Sequence, residues 1–143
     1  MSTGKDLNFQ FAALPYRQVG DDLRLEVMLI TSRDTGRWVI PKGWATEREA
    51  AWDCAAREAR EEAGLVGEVK KRPIGTYHYK KLLDSGLPVW CTVEVFPLAV
   101  AERLPSWPEQ QERSARWFTV EDAAGAVDEA ELGELIRELP RHV

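Results

Sequence analysis

Hydrophobic and polar positions change period several times along the chain, and these changes divide it into elements. "FQFAALPYR" (9–17) and "LRLEVMLIT" (23–31) are apolar, β-prone runs that predict two strands, with "QVGDD" as the turn between them. The polar loop "TSRDTGR" leads to a short strand, "RWVIP", stopped by Pro41. The period then lengthens from two to about 3.6, predicting a helix over residues 47–63. Thr46 stands where an N-cap belongs, Glu49 completes a capping-box pattern, and Gly64 supplies a left-handed C-terminal cap. Beyond it, "GEVKKRPIGTYHYKK" and "PVWCTVEVFPLAV" predict two strands joined by a hairpin loop, "LLDSGL". "SARWFTV" reads as a last short strand. "EDAAGAV" and "DEAELGELIREL" read as one or two terminal helices, with Leu132, Leu135, Ile136 and Leu139 at helical spacing. Strands, a helix, more strands and terminal helices imply an α/β or α+β sandwich. No repeat, low-complexity segment or linker interrupts it, so residues 1–143 are expected to form a single domain.

The central helix carries the chemistry. At 100° per residue, Glu58, Glu61 and Glu62 fall within a sector of about 100°. Ala51, Trp52, Ala55, Ala56, Ala59 and Ala63 form the neighbouring apolar stripe, so the carboxylates flank the buried face instead of opposing it. Like charges at i, i+4 cost a few tenths of a kcal/mol, and the helix C-terminus disfavours Glu61 and Glu62 by roughly 0.3–1 kcal/mol each. Two readings explain that arrangement: a solvated acidic face partly offset by Arg57 and Arg60, or a set of oxygen ligands for Mg²⁺ or Mn²⁺.

Composition narrows the surroundings. A net charge of −5 over 143 residues disfavours nucleic-acid binding through bulk electrostatics, although Lys70, Lys71 and Arg72, and Lys80 and Lys81, form local basic clusters. Cys54 and Cys91 have neither metal-site nor disulfide-framework spacing and read as buried thiols of a reducing compartment. "MSTGKDLNFQ" lacks the apolar centre of a signal peptide, and no apolar run reaches membrane-spanning length, so the expected location is cytoplasmic.

Spacing decides between the two readings of the helix. Gly43, five residues, Glu49, seven residues, Arg57-Glu58-Ala59, one residue, Glu61-Glu62, one residue and Gly64-Leu65 resemble the Nudix box at every defined position. The resemblance implies a Nudix-type α/β/α sandwich around a mixed sheet and an enzyme that hydrolyses a diphosphate linkage. It implies Glu58, Glu61 and Glu62 as ligands of Mg²⁺ or Mn²⁺, with the Gly43 carbonyl completing a metal's shell. Glu49, Arg57 and Gly64 would be structural within the motif. The general base stays open between Glu61, Glu62 and a loop glutamate. "PSWPEQQER" offers Glu109 for that role, or else Glu109 and Glu112 are ordinary surface acids.

"RWVIPKGW" resembles the box entrance of the diphosphoinositol polyphosphate and diadenosine polyphosphate hydrolase branch. Lys42, Arg33, Arg37 and Lys80 are the expected contacts to a small-molecule polyphosphate. The first strand offers only Gln10 and Arg17 as long polar side chains, which disfavours an inositol pyrophosphate relative to a dinucleoside polyphosphate. Tyr77, Tyr79, Trp90 and Trp107 are the candidates to stack a base. Trp38, Trp52 and Trp117 read as core, and His78 as structural. Two alternatives stand beside this reading: a non-catalytic nucleotide sensor and an RNA 5′-pyrophosphohydrolase. The first usually lacks a box glutamate, whereas all four are here, and the second calls for a broader basic surface. Family resemblance further implies a monomer or homodimer.

Overall fold

The computed structural model describes residues 8–143. Eight strands form one mixed sheet: β1 (Phe9–Val19), β2 (Arg24–Thr31), β3 (Trp38–Val39), β4 (Lys42–Gly43), β5 (Leu65–Val69), β6 (Gly75–Leu82), β7 (Pro88–Arg103) and β8 (Ala115–Thr119). Its backbone path runs β3-β2-β1-β7-β5. The β1–β7 pair is parallel and every other pairing is antiparallel.

Helix α1 (Ala51–Ala63) covers one face of the sheet. Its Ala55, Ala59 and Ala63 pack on Met28, Ile30, Phe96 and Leu98. Helices α2 (Val120–Ala126) and α3 (Ala130–Glu138) cover the other, where Leu132 and Ile136 meet Leu14, Tyr77 and Val93. The result is the expected α/β/α sandwich. Small side chains on α1 let it lie close to the sheet, so its flanking glutamates stay at the sheet's edge instead of standing off in solvent.

Two boundaries differ from the sequence reading. The helix starts at Ala51, not at residue 47, because Arg48 takes φ +68° and breaks the helical run. Thr46 is therefore not the N-cap; Ala50 holds that position without a side-chain hydrogen bond. Half of the capping box survives as a loop closure, in which the Thr46 amide donates to Glu49 Oε1 at 3.0 Å. The segment "GEVKKRPIGTYHYKK" is two strands, not one. β5 and β6 follow each other along the same edge of β7, and the interruption at Lys70–Ile74 spans Pro97, whose carbonyl accepts from the Lys70 amide.

One topological detail builds the site. The first half of β1 pairs with β4, Phe11 opposite Gly43, while its second half pairs with β2, Tyr16 opposite Val27. The far end of β2 pairs instead with β3, while β8 runs along the other edge of β2. Segment 38–43 thus occupies the space between the diverging ends of β1 and β2, and delivers Lys42 and Gly43 beside α1.

Candidate active site

Gly43 is where strand and helix meet. A Cβ at this position would collide with the Glu58 carboxylate, which lies directly against the glycine backbone. Only hydrogen leaves room for that approach. The Gly43 carbonyl accepts a weak bond from the Cys54 thiol at 3.7 Å, and burial pushes that thiol up to about 12, so Cys54 is an inert spacer. The α1 helix ends on Gly64 at φ +70°, whose amide donates to the Ala59 and Arg60 carbonyls. Trp107 packs so closely on this glycine that a Cβ would enter the indole ring. Trp107 thereby pins the 104–114 loop to the helix end, assisted by Leu104 N–H to Gly64 O at 2.7 Å and Glu109 N–H to Glu61 O at 3.0 Å.

Arg57 organises the wall of carboxylates. Its guanidinium forks onto Glu49 at 2.7 and 2.9 Å, reaches Glu58 at 2.9 Å and Glu61 at 3.4 Å, and donates to the Trp44 carbonyl at 3.1 Å. This fork holds the Glu49 carboxyl down to about 2. Glu49 and Arg57 hold the loop against the helix. Glu62 lies deeper, 8% exposed. Burial and the neighbouring Glu58 carboxyl raise its proton affinity, against the pull of Arg113 and Lys42. Its Oε1 accepts from the Lys42 amide at 3.4 Å.

Glu58, Glu61 and Glu62 line one polar cleft of about 350 Å³ together with Lys42, Gly43 and Glu109. Among the described residues, no three acidic, imidazole or thiol groups already converge to metal-binding spacing. Glu58 and Glu61 are both paired with Arg57. The donor set still fits a divalent cation. The hard carboxylate oxygens of Glu58 lie against the Gly43 backbone, and the buried Glu62 carboxyl has a raised proton affinity that a nearby cation would reverse.

The sheet side of the cleft holds cations, though not all those expected. Lys42 lines it, with Nζ 5.0 Å from the centre of the Tyr79 ring, and burial lowers its proton affinity. Arg33 lines it too, with Nη1 on Glu112 at 2.9 Å. Lys80 does not. Tyr77 and Tyr79 point into the molecule, so by strand alternation Lys80 faces out, over Trp90 at 5.7 Å, and Lys81 takes the place in the cleft. Arg37 is also off the cleft wall, tied to Glu129 at 2.9 Å. Neither Lys42 nor Lys81 forms an ion pair with a carboxylate among the described residues.

The four aromatics expected to stack a base are otherwise engaged. Tyr77 is fully buried, Trp90 is outside and Trp107 is wedged between Gly64 and the Arg103 guanidinium. Tyr79 reaches the cleft, but its hydroxyl donates to Gln10 at 2.6 Å and Lys42 covers its ring. Trp44, 39% exposed, is the aromatic that sequence reasoning missed; its place directly after Gly43 was the available signal. Arg113 was also missed. Its Nε donates to Glu109 at 2.8 Å, Nη1 donates to the Thr31 carbonyl at 3.1 Å, and Nη2 lies 3.7 Å from Glu62. His78 is structural as expected, exposed and paired with Glu131, while Arg17 pairs with Glu26 away from the cleft.

The NUDIX domain family model matches residues 12–139. The chain belongs to the Nudix family. Nudix hydrolase 13, mitochondrial, of Arabidopsis thaliana is 33% identical to this Nudix chain over 135 residues, 82% of this chain and 67% of that protein. The chain spans about two thirds of the length of such curated relatives. Two solved structures share the Nudix fold. An Ap4A hydrolase of C. elegans has a TM-score of 0.67 at 22% identity, covering 94% of this chain and 96% of that one. The NUDIX domain of Shewanella oneidensis NrtR, complexed with ADP ribose, has a TM-score of 0.64 at 18% identity, covering 91% and 86%. With hydrolase relatives and an intact box, this chain is classed with the Nudix diphosphohydrolases.

Proposed function

We propose that this Nudix domain hydrolyses a diphosphate linkage in a phosphate-rich small molecule, a dinucleoside polyphosphate or a diphosphoinositol polyphosphate, with Mg²⁺ or Mn²⁺. The observation that carries the reading is the pairing of opposites in one cleft: Glu58, Glu61 and Glu62 on the helix side, and on the sheet side Lys42 and Lys81, which form no ion pair among the described residues. Carboxylates alone would repel a diphosphate, and lysines alone would bind it without activating water. Glu58, Glu61, Glu62 and the Gly43 carbonyl would hold the cation. When bound, it would supply charge neutralisation of the diphosphate and acidify a water at the same face.

The residues then divide the work. Lys42 and Lys81 hold the phosphate oxygens and Arg33 guards the rim. As the water oxygen forms its bond to phosphorus, the bridging P–O bond breaks and its electron pair leaves with the departing phosphate. The water proton passes to a carboxylate, and Glu109 is best placed to take it. Glu58, Glu61 and Glu62 would be committed to the cation, whereas Glu109 lines the same cleft from the loop. The side-chain hydrogen bond to the Glu109 carboxylate falls on Oε1, and among the described residues none falls on Oε2. The occupied aromatics favour recognition through phosphate over recognition through a base, with Trp44 as the one candidate platform identified in the cleft.

A panel of diadenosine polyphosphates, diphosphoinositol polyphosphates, nucleotide sugars, dinucleotide cofactors, nucleoside triphosphates and 5′-triphosphorylated RNA, with products identified, tests the proposal. Turnover of either of the first two classes, dependent on a divalent cation and abolished in Glu61→Gln and Glu62→Gln, is the expected result. Binding without turnover across the panel would favour a sensor, and near wild-type rates in the glutamine variants would remove the metal assignment.

A further inference from the structure

We infer that Arg113 is a positioning residue that fastens the 104–114 loop across the cleft and fixes Glu109 for proton transfer. The inference rests on the proposed hydrolase reading and adds a residue outside the box to its machinery. Arg113 precedes β8 by two positions and reaches back into the cleft, its side chain only 10% exposed. Its donors engage three different elements. Nε binds Glu109 in the loop at 2.8 Å, Nη1 binds the Thr31 carbonyl at the end of β2 at 3.1 Å, and Nη2 faces Glu62 on α1 at 3.7 Å. A planar fork spreads its donors over three nitrogens and so reaches partners on three elements, whereas a lysine ammonium presents all its donors from one atom.

The backbone of the same loop is tied as well. The Glu109 amide donates to the Glu61 carbonyl at 3.0 Å, and Ser114 and Thr31 exchange bonds, Thr31 N–H to Ser114 O at 2.9 Å and Ser114 N–H to Thr31 Oγ1 at 2.8 Å. The loop therefore has backbone anchors near both Glu109 and Arg113, and Arg113 governs the side-chain geometry between them. It occupies Glu109 Oε1, and among the described residues no hydrogen bond falls on Oε2. Arg33 also approaches Oε1, but at 3.9 Å and with a side chain 54% exposed, so it cannot substitute for the buried fork.

The test compares wild type, Arg113→Lys, Arg113→Met, Glu109→Gln and the double variant Arg113→Lys/Glu109→Gln on the best substrate of the panel. A group acting through Glu109 loses its effect once Glu109 is gone. Arg113→Lys should lower kcat about tenfold with KM within about twofold, and Glu109→Gln should lower kcat about 100-fold. The double variant should be no slower than Glu109→Gln alone. Independent multiplication of the two losses, a raised KM at unchanged kcat, or wild-type turnover in Glu109→Gln would overturn the inference while leaving the hydrolase reading intact. Hydrogen exchange on the metal-free protein adds a readout without turnover. The Glu109–Ser114 amides should exchange faster in Arg113→Lys than in wild type, with α1 unchanged. Unaltered exchange would overturn the tie even if no panel compound is hydrolysed. Arg113→Lys carries the test should Arg113→Met fail to fold.

Discussion

The loop closure made by Glu49 and Arg57 sets a sharp expectation for acid stability. In the folded protein two Arg57 donors at 2.7 and 2.9 Å and the Thr46 amide hold the Glu49 carboxyl down to about 2, from an ordinary value near 4.5. A shift of that size corresponds to about 3.5 kcal/mol at about 1.4 kcal/mol per unit. Arg57 is 28% exposed and Glu49 14%, so water screens part of it, and about 1–2 kcal/mol should survive. The sign follows from linkage. A depressed folded-state value gives stability that is complete above the unfolded-state value and is lost as pH falls through the folded one. Glu49→Gln should therefore be less stable than wild type by about 1–2 kcal/mol at pH 7. That gap should close progressively between about pH 4.5 and pH 2. Urea unfolding of both proteins across this range measures the difference directly and cancels the other carboxylates. A gap that is absent at pH 7, or constant down to pH 2, would refute the assignment of this stability to the ion pair.

Other expectations follow from the same geometry. Gly43→Ala should displace the Glu58 carboxylate. As the far end of a flexible side chain it can move, so melting should shift by only a few degrees while turnover falls by about 100-fold, or roughly 2.7 kcal/mol. Gly64→Ala should do the reverse: the left-handed backbone costs about 1–2 kcal/mol and the indole collision about 1–3 more, lowering the melting temperature by roughly 5–15 °C. Lys81→Ala should raise KM about tenfold, and Lys80→Ala should leave it unchanged, in steady-state kinetics on one substrate.

Much of the fold was legible because it rests on local periodicity. The alanine stripe of α1, the alternation in β6 and β7 and the apolar face of α3 each required only a window of residues, and each corresponds to a buried face. The misplaced helix start shows where that logic fails. Thr46 and Glu49 have the right spacing for a capping box, and they make one of its bonds, yet Arg48 at φ +68° turns the chain before the helix begins. A pattern of residue types does not record which backbone conformation the surrounding loop imposes. The box residues were legible for a different reason. Their chemistry needs glutamates from adjacent turns of a single helix, so the constellation is contiguous in sequence.

The sheet side of the cleft was less legible because its members come from distant segments. Gln10, Lys42, Tyr79 and Lys81 meet only after β1 has paired with β4 on one edge and β7 on the other, with β6 beyond. The choice between Lys80 and Lys81 was still within reach. Tyr77 and Tyr79 are large aromatics in an alternating strand, and the parity they establish puts Lys81, not Lys80, on their face. Arg113 offered no comparable signal, since an arginine in "QQERSARW" is indistinguishable from its neighbours until the loop folds back on α1. The same division bears on substrate selection. The box presents carboxylates from one helix and can be kept intact while the side chains opposite it vary, because Lys42 and Trp44 are tied to that helix through their backbone, the Lys42 amide on Glu62 and the Trp44 carbonyl on Arg57. Substitutions at Lys42, Lys81 and Trp44 should therefore change which compound is cleaved, whereas substitutions at Glu58, Glu61 and Glu62 should change whether any is.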